Sequence, residues 1–226
     1  MARSVLIVEG RRDHALFESV ISKILKVEPK ELELDITGAG GKDRAKQLLY
    51  TYVSQGFARI GIARDINDSE PERVVRSIQD FLGAKLQSPV KREKGFILAG
   101  RSSVLVIPMG LHNDKELQDL GITRYAMEDY LVKIVLQDNR LTAHLRDFRN
   151  LLENLLALLK GKGIFLESSK EILQLIKAVW KFSEDNPAFT RKLIGEGDKL
   201  IIDSVMTEPL NQVRILTGLS KGWNKQ

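Results

Sequence analysis

The chain has 226 residues, 43% hydrophobic and 29% charged, enough for a sizeable core in one large domain or two small ones. It has no cysteine, which excludes disulfides, thiolate catalysis and Cys-ligated zinc, and it has no apolar run of membrane-spanning length. The histidines, His14, His112 and His144, are scattered, so a His-based metal site is not expected. The net charge of +5 is uneven: residues 131–226 hold 15 Lys/Arg against 11 Asp/Glu, and residues 1–130 hold 20 against 19. Such asymmetry is compatible with a polyanionic partner, and equally with ordinary solubility charge. The amino terminus runs directly into an apolar stretch without signal-peptide anatomy, so a cytoplasmic location is expected.

In chain order, Val5–Val8 is a short β-branched run that reads as a strand buried on both faces. It stops at Glu9-Gly10. A helix is expected from Asp13 to Lys26, with Leu16, Phe17, Val20, Ile21 and Ile24 on one face. A second strand is read at Leu32–Ile36, followed by a glycine-rich turn, Gly38–Gly41, and a helix from about Asp43. Such a turn at a helix N-terminus can hold a phosphate or carboxylate, or be a bare connection, and it lacks P-loop spacing. Ile60–Ala63 is the third strand and runs into Asp65, Asn67 and Asp68. Pro71 opens a third helix. This β-α-β-α-β-α order predicts a parallel sheet. A carboxylate at the C-terminal end of a parallel strand sits where such sheets place ligands.

Residues 83–95 read as a loop carrying Lys85, Lys91, Arg92 and Lys94. Phe96–Leu98 and Val104–Ile107, joined through Arg101, read as an edge hairpin. Pro108–Leu120 reads as a polar loop, and Tyr125–Val135 begins a helix containing Glu128 and Asp129. Beyond it the pattern is helical. Leu141–Leu159 is amphipathic, with Leu145 and Phe148 on its apolar face. Ser168–Phe182 opens on a capping box and is expected to end at Pro187. Shorter helices are read at Lys199–Met206 and Leu210–Leu219, and the tail from Ser220 is expected to be mobile.

The pair of acidic strand ends, VEGRRD at 8–13 and ARDIND at 63–68, resembles the Toprim domain of primases, topoisomerases and the OLD-type nucleases. Within that family the chain is similar to the OLD-type branch and to uncharacterised archaeal Toprim-related proteins. The family carries a glutamate after its first strand and a D-x-D motif after its third. Here these positions are Glu9, Asp65 and Asn67, with Asp68 adjacent, so the motif reads D-x-N-D. Gly10 and Asp13 belong to the E-G-x-x-D pattern, and Glu128 in AMEDYL resembles the acidic element after the last core strand. No tyrosine has a topoisomerase context, and no primase-type zinc ligands are present. The resemblance covers residues 3–130. It implies a Toprim-like Rossmannoid α/β core with a mostly parallel sheet and an edge hairpin over residues 1–130, followed by a helical region at 131–226.

If β-strands one and three are neighbours, Glu9 and Asp65 converge and need a cation or a proton to be tolerated. Oxygen-only ligands select Mg²⁺ or Mn²⁺. The leading expectation is therefore a Mg²⁺-dependent phosphodiester hydrolase acting on DNA or RNA. Glu9 and Asp65 are its catalytic candidates, with Glu9, Asp65, Asn67, Asp68 and Glu128 as metal ligands and Gly10 and Asp13 in support. Arg11, Arg12, Lys42, Lys91, Arg92, Lys94 and Arg101 are candidate backbone contacts. Arg11 and Arg12 could equally neutralise the acidic cluster; Lys42 and Arg64 are candidate phosphate contacts that read more often as solvated charges or ion-pair partners. The alternative is a non-catalytic nucleic-acid-binding or assembly module with a degenerate site, favoured by Asn67. A metal-dependent phosphatase is disfavoured, because Glu9 stands where an aspartyl nucleophile belongs. The helical half is expected either to clamp substrate or to mediate homo-oligomerisation.

Overall fold

A computed structural model of the protein describes residues 4–142, 148–164 and 166–219. The expected apolar position Leu145 and the tail from Ser220 lie outside the described residues. β1 (Ser4–Val8), β2 (Leu34–Gly38), β3 (Arg59–Asp65) and β6 (Ser102–Met109) are parallel, and β5 (Phe96–Ala99) and β4 (Lys91–Glu93) are antiparallel additions. The strand order is β2-β1-β3-β6-β5-β4. The protein thus has a mostly parallel, Rossmann-like α/β core followed by helices, as the sequence pattern predicts.

β1 is buried at every position, because both sheet faces are covered. Alternate side chains of a strand point to opposite faces. Val5, Ile7, Ile60, Ile62 and Val106 pack beneath α2 (Lys42–Ser54) and α3 (Pro71–Leu86). Leu6, Val8, Ala63, Leu105 and Ile107 form the other face with α1 (Arg11–Val20). On that face the same apolar core takes in Leu131 and Ile134 of α5 (Glu128–Gln137), Ile172 and Ile176 of α8 (Ser169–Val179) and Phe189 and Leu193 of α9 (Asn186–Glu196). Ile202 of α10 (Lys199–Val205) and Val213 and Leu216 of α11 (Thr207–Thr217) complete it. Ser4 Oγ donates to the Leu216 carbonyl at 3.2 Å, tying the first strand to the last helix.

Several local expectations are corrected. α1 is followed by one wide π turn, Ile21–Leu25. Pro29–Leu32 forms a 3-10 turn ending at Glu33 with positive φ, which delays β2 by two residues. The loop at 83–95 is shorter than expected: α3 runs to Leu86, and β4 pairs with β5 across a Lys94-Gly95 turn of positive φ. The polar loop contains α4 (Lys115–Asp119), whose N-cap Asp114 accepts from Leu117 N–H at 3.1 Å. Short α6 (Asn139–Thr142) and α7 (Phe148–Gly161) follow α5. Pro187 starts rather than merely ends a helix: it lies in the first turn of α9, where its missing N–H costs nothing, and Asp185 accepts from Ala188 N–H at 2.9 Å.

Gly110 closes β6 and lets residues 125–128 cross the sheet edge. Its φ is +137°, and a Cβ there would sit 2.8 Å from Tyr125 Cβ and 2.9 Å from the Tyr125 carbonyl carbon. Gly110→Ala should therefore destabilise the fold by on the order of 2–4 kcal/mol, read as a lower midpoint in urea unfolding with an unchanged m-value. An unaltered midpoint would show that the crossing is not close-packed.

Candidate functional site

β1 and β3 are hydrogen-bonded neighbours, so their carboxyl ends lie side by side. Glu9 follows β1 and Asp65 ends β3. Gly10 caps α1 in extended conformation, and its N–H donates to Asp13 Oδ2 at 2.9 Å. That bond turns Asp13 back toward Glu9. On β3 the alternation sends Asp65 to the α1 face and Arg64 to the α2 face. Asn67, at φ +58°, exchanges two backbone hydrogen bonds with Tyr125, 2.7 Å and 2.9 Å. This bridge draws the start of α5 over the end of β3. There Met127 N–H donates to Asp65 Oδ1 at 3.0 Å, and Glu128 comes next. Glu9, Asp13, Asp65 and Glu128 thus line one cavity of about 730 Å³, beside Gly40 and Gly41.

The helical half forms the facing wall. Asp129 accepts from Leu111 N–H and Ala126 N–H, both at 3.0 Å, and from Ser169 Oγ at 2.5 Å. It is fully buried, and it fastens the N-terminus of α8 to α5. Lys170, Glu171 and Gln174 consequently face the cavity. On the other flank, Lys23 Nζ donates to the carbonyls of Ile194, Gly195 and Gly197 at 2.7, 2.7 and 2.6 Å. This holds the C-terminal end of α9 against the end of α1, and the α9 N-terminus, Asp185–Pro187, reaches the cavity. Of these residues only Asp129, beside Glu128, the α8 capping box and Pro187 as a helix end were singled out in the sequence; Lys23, Lys170, Gln174, Asp185 and Asn186 were not. For α9 the signal was present in Asp-Asn-Pro followed by Phe189, Leu193 and Ile194.

Like charge is concentrated in the cavity. Burial, with Asp13 and Glu128 close by, pushes the Asp65 carboxyl up to about 7. Burial, opposed by the Gly10 N–H and reinforced by Glu128 and Glu9, pushes Asp13 up to about 6. Two arginines offset the others. Arg12 Nη1 lies 2.6 Å from Glu128 Oε1, and Arg64 Nε lies 2.6 Å from Glu9 Oε1. Asp129 is also raised to about 6, by burial against its three hydrogen bonds.

The donor set, carboxylate oxygen throughout, has the chemistry of a hard divalent cation site. A shared cavity with one carboxyl pushed to about 7 is the electrostatic setting that such a cation relieves. As the side chains stand, with two of them turned to arginines, no cluster of three or more His, Cys, Asp or Glu is gathered for one ion among the described residues.

The remaining candidates are placed elsewhere. Asn67 directs its amide Nδ2 to the Asp65 carbonyl at 3.2 Å. Asp68 is exposed, and neither residue lines the cavity. Arg11 and Arg12 do line it. Lys91, Arg92 and Lys94 are exposed on or beside β4, across β6 and β5 from the acids, and Arg92 pairs with Glu72 at 2.5 Å. Arg101 precedes β6, at the sheet edge opposite the carboxylates. Lys42 is exposed at the α2 N-terminus.

These features define an α/β protein with a carboxylate-lined cavity at the C-terminal edge of a parallel sheet. The family described as Protein of unknown function (DUF3226) matches residues 3–190, and the chain belongs to it. A hypothetical protein of Pyrococcus horikoshii OT3 shares the fold, at 17% identity over 97% of each chain with a TM-score of 0.59. The C-terminal region of the Xanthomonas campestris pv. campestris OLD protein aligns over 97% of this chain and 98% of that one, at 16% identity and a TM-score of 0.45. The C-terminal region of the Burkholderia pseudomallei OLD protein aligns over 96% and 99%, at 14% and 0.49. No curated protein matches the chain.

A raised carboxyl means that the folded state binds its proton more tightly than the unfolded chain. The stabilising contribution is complete below the unfolded value near 3.8 and is lost as pH rises through about 7 for Asp65. Asp65→Asn keeps the acceptor for Met127 N–H and removes the charge. In EDTA the variant should be more stable than the parent above about pH 7, by up to about 4 kcal/mol, with the gap narrowing as pH falls and closing below about pH 4. Thermal melts across this range check it, and a pH-independent gap would contradict the electrostatic account.

Proposed function

We propose that this protein is a Toprim-type, divalent-cation-dependent phosphodiester hydrolase acting on nucleic acid. The observation that carries the reading is the convergence of Glu9, Asp13, Asp65 and Glu128 on one cavity at the ends of β1 and β3. The Toprim resemblance of the same segments supports it. Glu9, Asp65 and Glu128 would hold Mg²⁺ or Mn²⁺, in exchange for the Arg12 and Arg64 pairs of Glu128 and Glu9, with Asp13 adding charge from the first turn of α1. The cation supplies Lewis-acid stabilisation of charge on the phosphate oxygens. Arg11 at the cavity mouth and Lys170 on the facing wall orient the strand through its phosphates. Arg64 fixes the Glu9 carboxylate as acid, base or ligand. Asn67 acts through the backbone bridge that places Glu128. The basic residues of β4 and Arg101 have no part at the cavity.

One observation favours a second reading, a nucleic-acid-binding module without catalysis. Arg12 and Arg64 already neutralise Glu128 and Glu9, which leaves fewer carboxylates for a cation.

Calorimetric titration with Mg²⁺ and Mn²⁺, joined to cleavage assays on single- and double-stranded DNA and RNA, separates the readings. The hydrolase reading expects sub-millimolar binding and metal-dependent cleavage. Both should be lost in Asp65→Asn, with the rate falling at least about a hundredfold. Salt-sensitive binding without cleavage under either metal supports the module instead. Neither binding nor cleavage overturns both.

A further inference from the structure

The glycine-rich turn after β2 borders the acidic cavity, which Gly40 and Gly41 help to line. Gly40 and Gly41 have φ of +77° and +136°. Gly41 caps α2 without any side-chain hydrogen bond, and its own N–H donates to the Glu9 carbonyl at 2.8 Å. The first intrahelical acceptor pairing is Ala45 N–H to the Gly41 carbonyl. The N–H groups of Lys42, Asp43 and Arg44 therefore have no intrahelical carbonyl to bond, at the positive end of a 13-residue helix. A Cβ at Gly41 would meet nothing within 4 Å, so the approach to these groups is open.

A second observation is a buried donor without a partner, joined to this turn through Glu9. Arg64, only 4% exposed, donates from Nε to Glu9 Oε1, the side chain of the residue whose carbonyl holds Gly41. Its Nη1 is buried and has no hydrogen-bond partner. A buried guanidinium N–H without an acceptor is costly, on the order of 1–3 kcal/mol, and Glu9 engages only the Nε side of this fork. Arg44 borders the turn, and Lys46 stands close to Arg64 and Lys42. Arg44 Nη1 lies 3.5 Å from the Cβ position of Gly40. Lys46, one turn into α2, is held near Ser77 Oγ at 3.3 Å and over the Phe81 ring. Burial lowers its pKa, with Arg64 and Lys42 beside it adding to the effect. The opposing charges are Glu9, already paired with Arg64, and Asp43, which faces Lys46.

We infer that the Gly40–Gly41 turn, the first-turn amides of α2, Lys42, Lys46 and Arg64 form a phosphate-binding subsite next to the carboxylate cavity. Backbone amides and a helix N-terminus take the phosphate oxygens, and Arg64 Nη1 gains its acceptor. The subsite deepens the nuclease reading by holding a phosphate that flanks the one at the acids, and it rests on that reading for the source of the phosphate. Phosphate binding itself does not require a metal.

The test is titration of ¹⁵N-labelled, metal-free protein with inorganic phosphate at constant ionic strength, in the parent, Lys42→Gln/Lys46→Gln and Asp65→Asn. Saturable shifts of the Gly40–Arg44 amides are expected in the parent and in Asp65→Asn. Affinity should fall about tenfold in the double lysine variant, which removes only exposed or half-buried side chains. Arg64→Lys, which retains the charge and loses the fork, should also weaken binding. A 5′-phosphorylated oligonucleotide and its unphosphorylated twin then distinguish the sources: preference for the first assigns a terminal phosphate, equal shifts an internal phosphodiester. Absence of saturable shifts in the parent, or equal affinity in the double lysine variant, overturns the subsite. Phosphate binding that persists in a protein devoid of nuclease activity overturns the hydrolase reading and leaves the subsite standing.

Discussion

Parallel strands present their carboxyl ends at one edge of a sheet, and in this protein two neighbouring strands, β1 and β3, finish there in acids. Two further acids join them, Asp13 from the first turn of α1 and Glu128 from the first turn of α5. Unit charges about 4 Å apart interact by on the order of 4 kcal/mol at an effective dielectric near 20. A cluster of this kind is therefore stable only with countercharge, protons or both. The structure uses both. Arg12 and Arg64 take Glu128 and Glu9, and protons are retained on Asp65 and Asp13 to about pH 7 and 6. Much of the remaining architecture serves to hold this arrangement at the sheet edge.

The helical half belongs to that support. A buried carboxylate with three donors, Asp129, joins α5 to α8 and sets Lys170 against the acids. Lys23, carried one turn beyond α1, holds the last carbonyls of α9 and so fixes its N-terminus at the cavity. The two acids these helices bring are already engaged in capping: Glu171 accepts from Ser168 N–H and Asp185 from Ala188 N–H. The wall thus encloses the cavity mainly through helix starts and Lys170, and adds little free negative charge.

Much of this was legible in the chain itself. The continuous apolar run Val5–Val8 and the repeated pattern of strand, acid and helix were enough for a parallel sheet, and the meeting of Glu9 and Asp65 was conditional on β1 and β3 being neighbours, which they are. What was not legible depended on contacts between distant segments. The register of Asn67 with Tyr125, which brings Glu128 across, is a backbone pairing and leaves no composition signal. Glu128 and Asp129 stand side by side in the sequence and both are buried; only their partners separate their roles, Arg12 for Glu128 and the Leu111, Ala126 and Ser169 donors for Asp129. Lys91, Arg92 and Lys94 looked like a basic loop near the acids because sequence distance does not show that β6 and β5 intervene. Pro187 was read as a helix end, although proline both follows helix ends and opens helices; the Asp185 cap decides for the second.

The two-residue period of β3 also divides the chemistry of the site. Asp65 falls on the α1 face among acids, and Arg64, one residue earlier, falls on the α2 face among Lys42 and Lys46. Glu9 lies between the two environments: its side chain is bonded to Arg64, and its carbonyl is bonded to the amide of Gly41. A one-residue shift in the pairing of β3 with β1 would exchange the faces, burying the acid under α2 and the arginine beside Asp13. Register on β3 is specified by Ile60 and Ile62 on one face and Ala63 on the other, all in packed cores. The apolar alternation that defines the fold is therefore the same device that keeps negative and positive groups on opposite sides of Glu9.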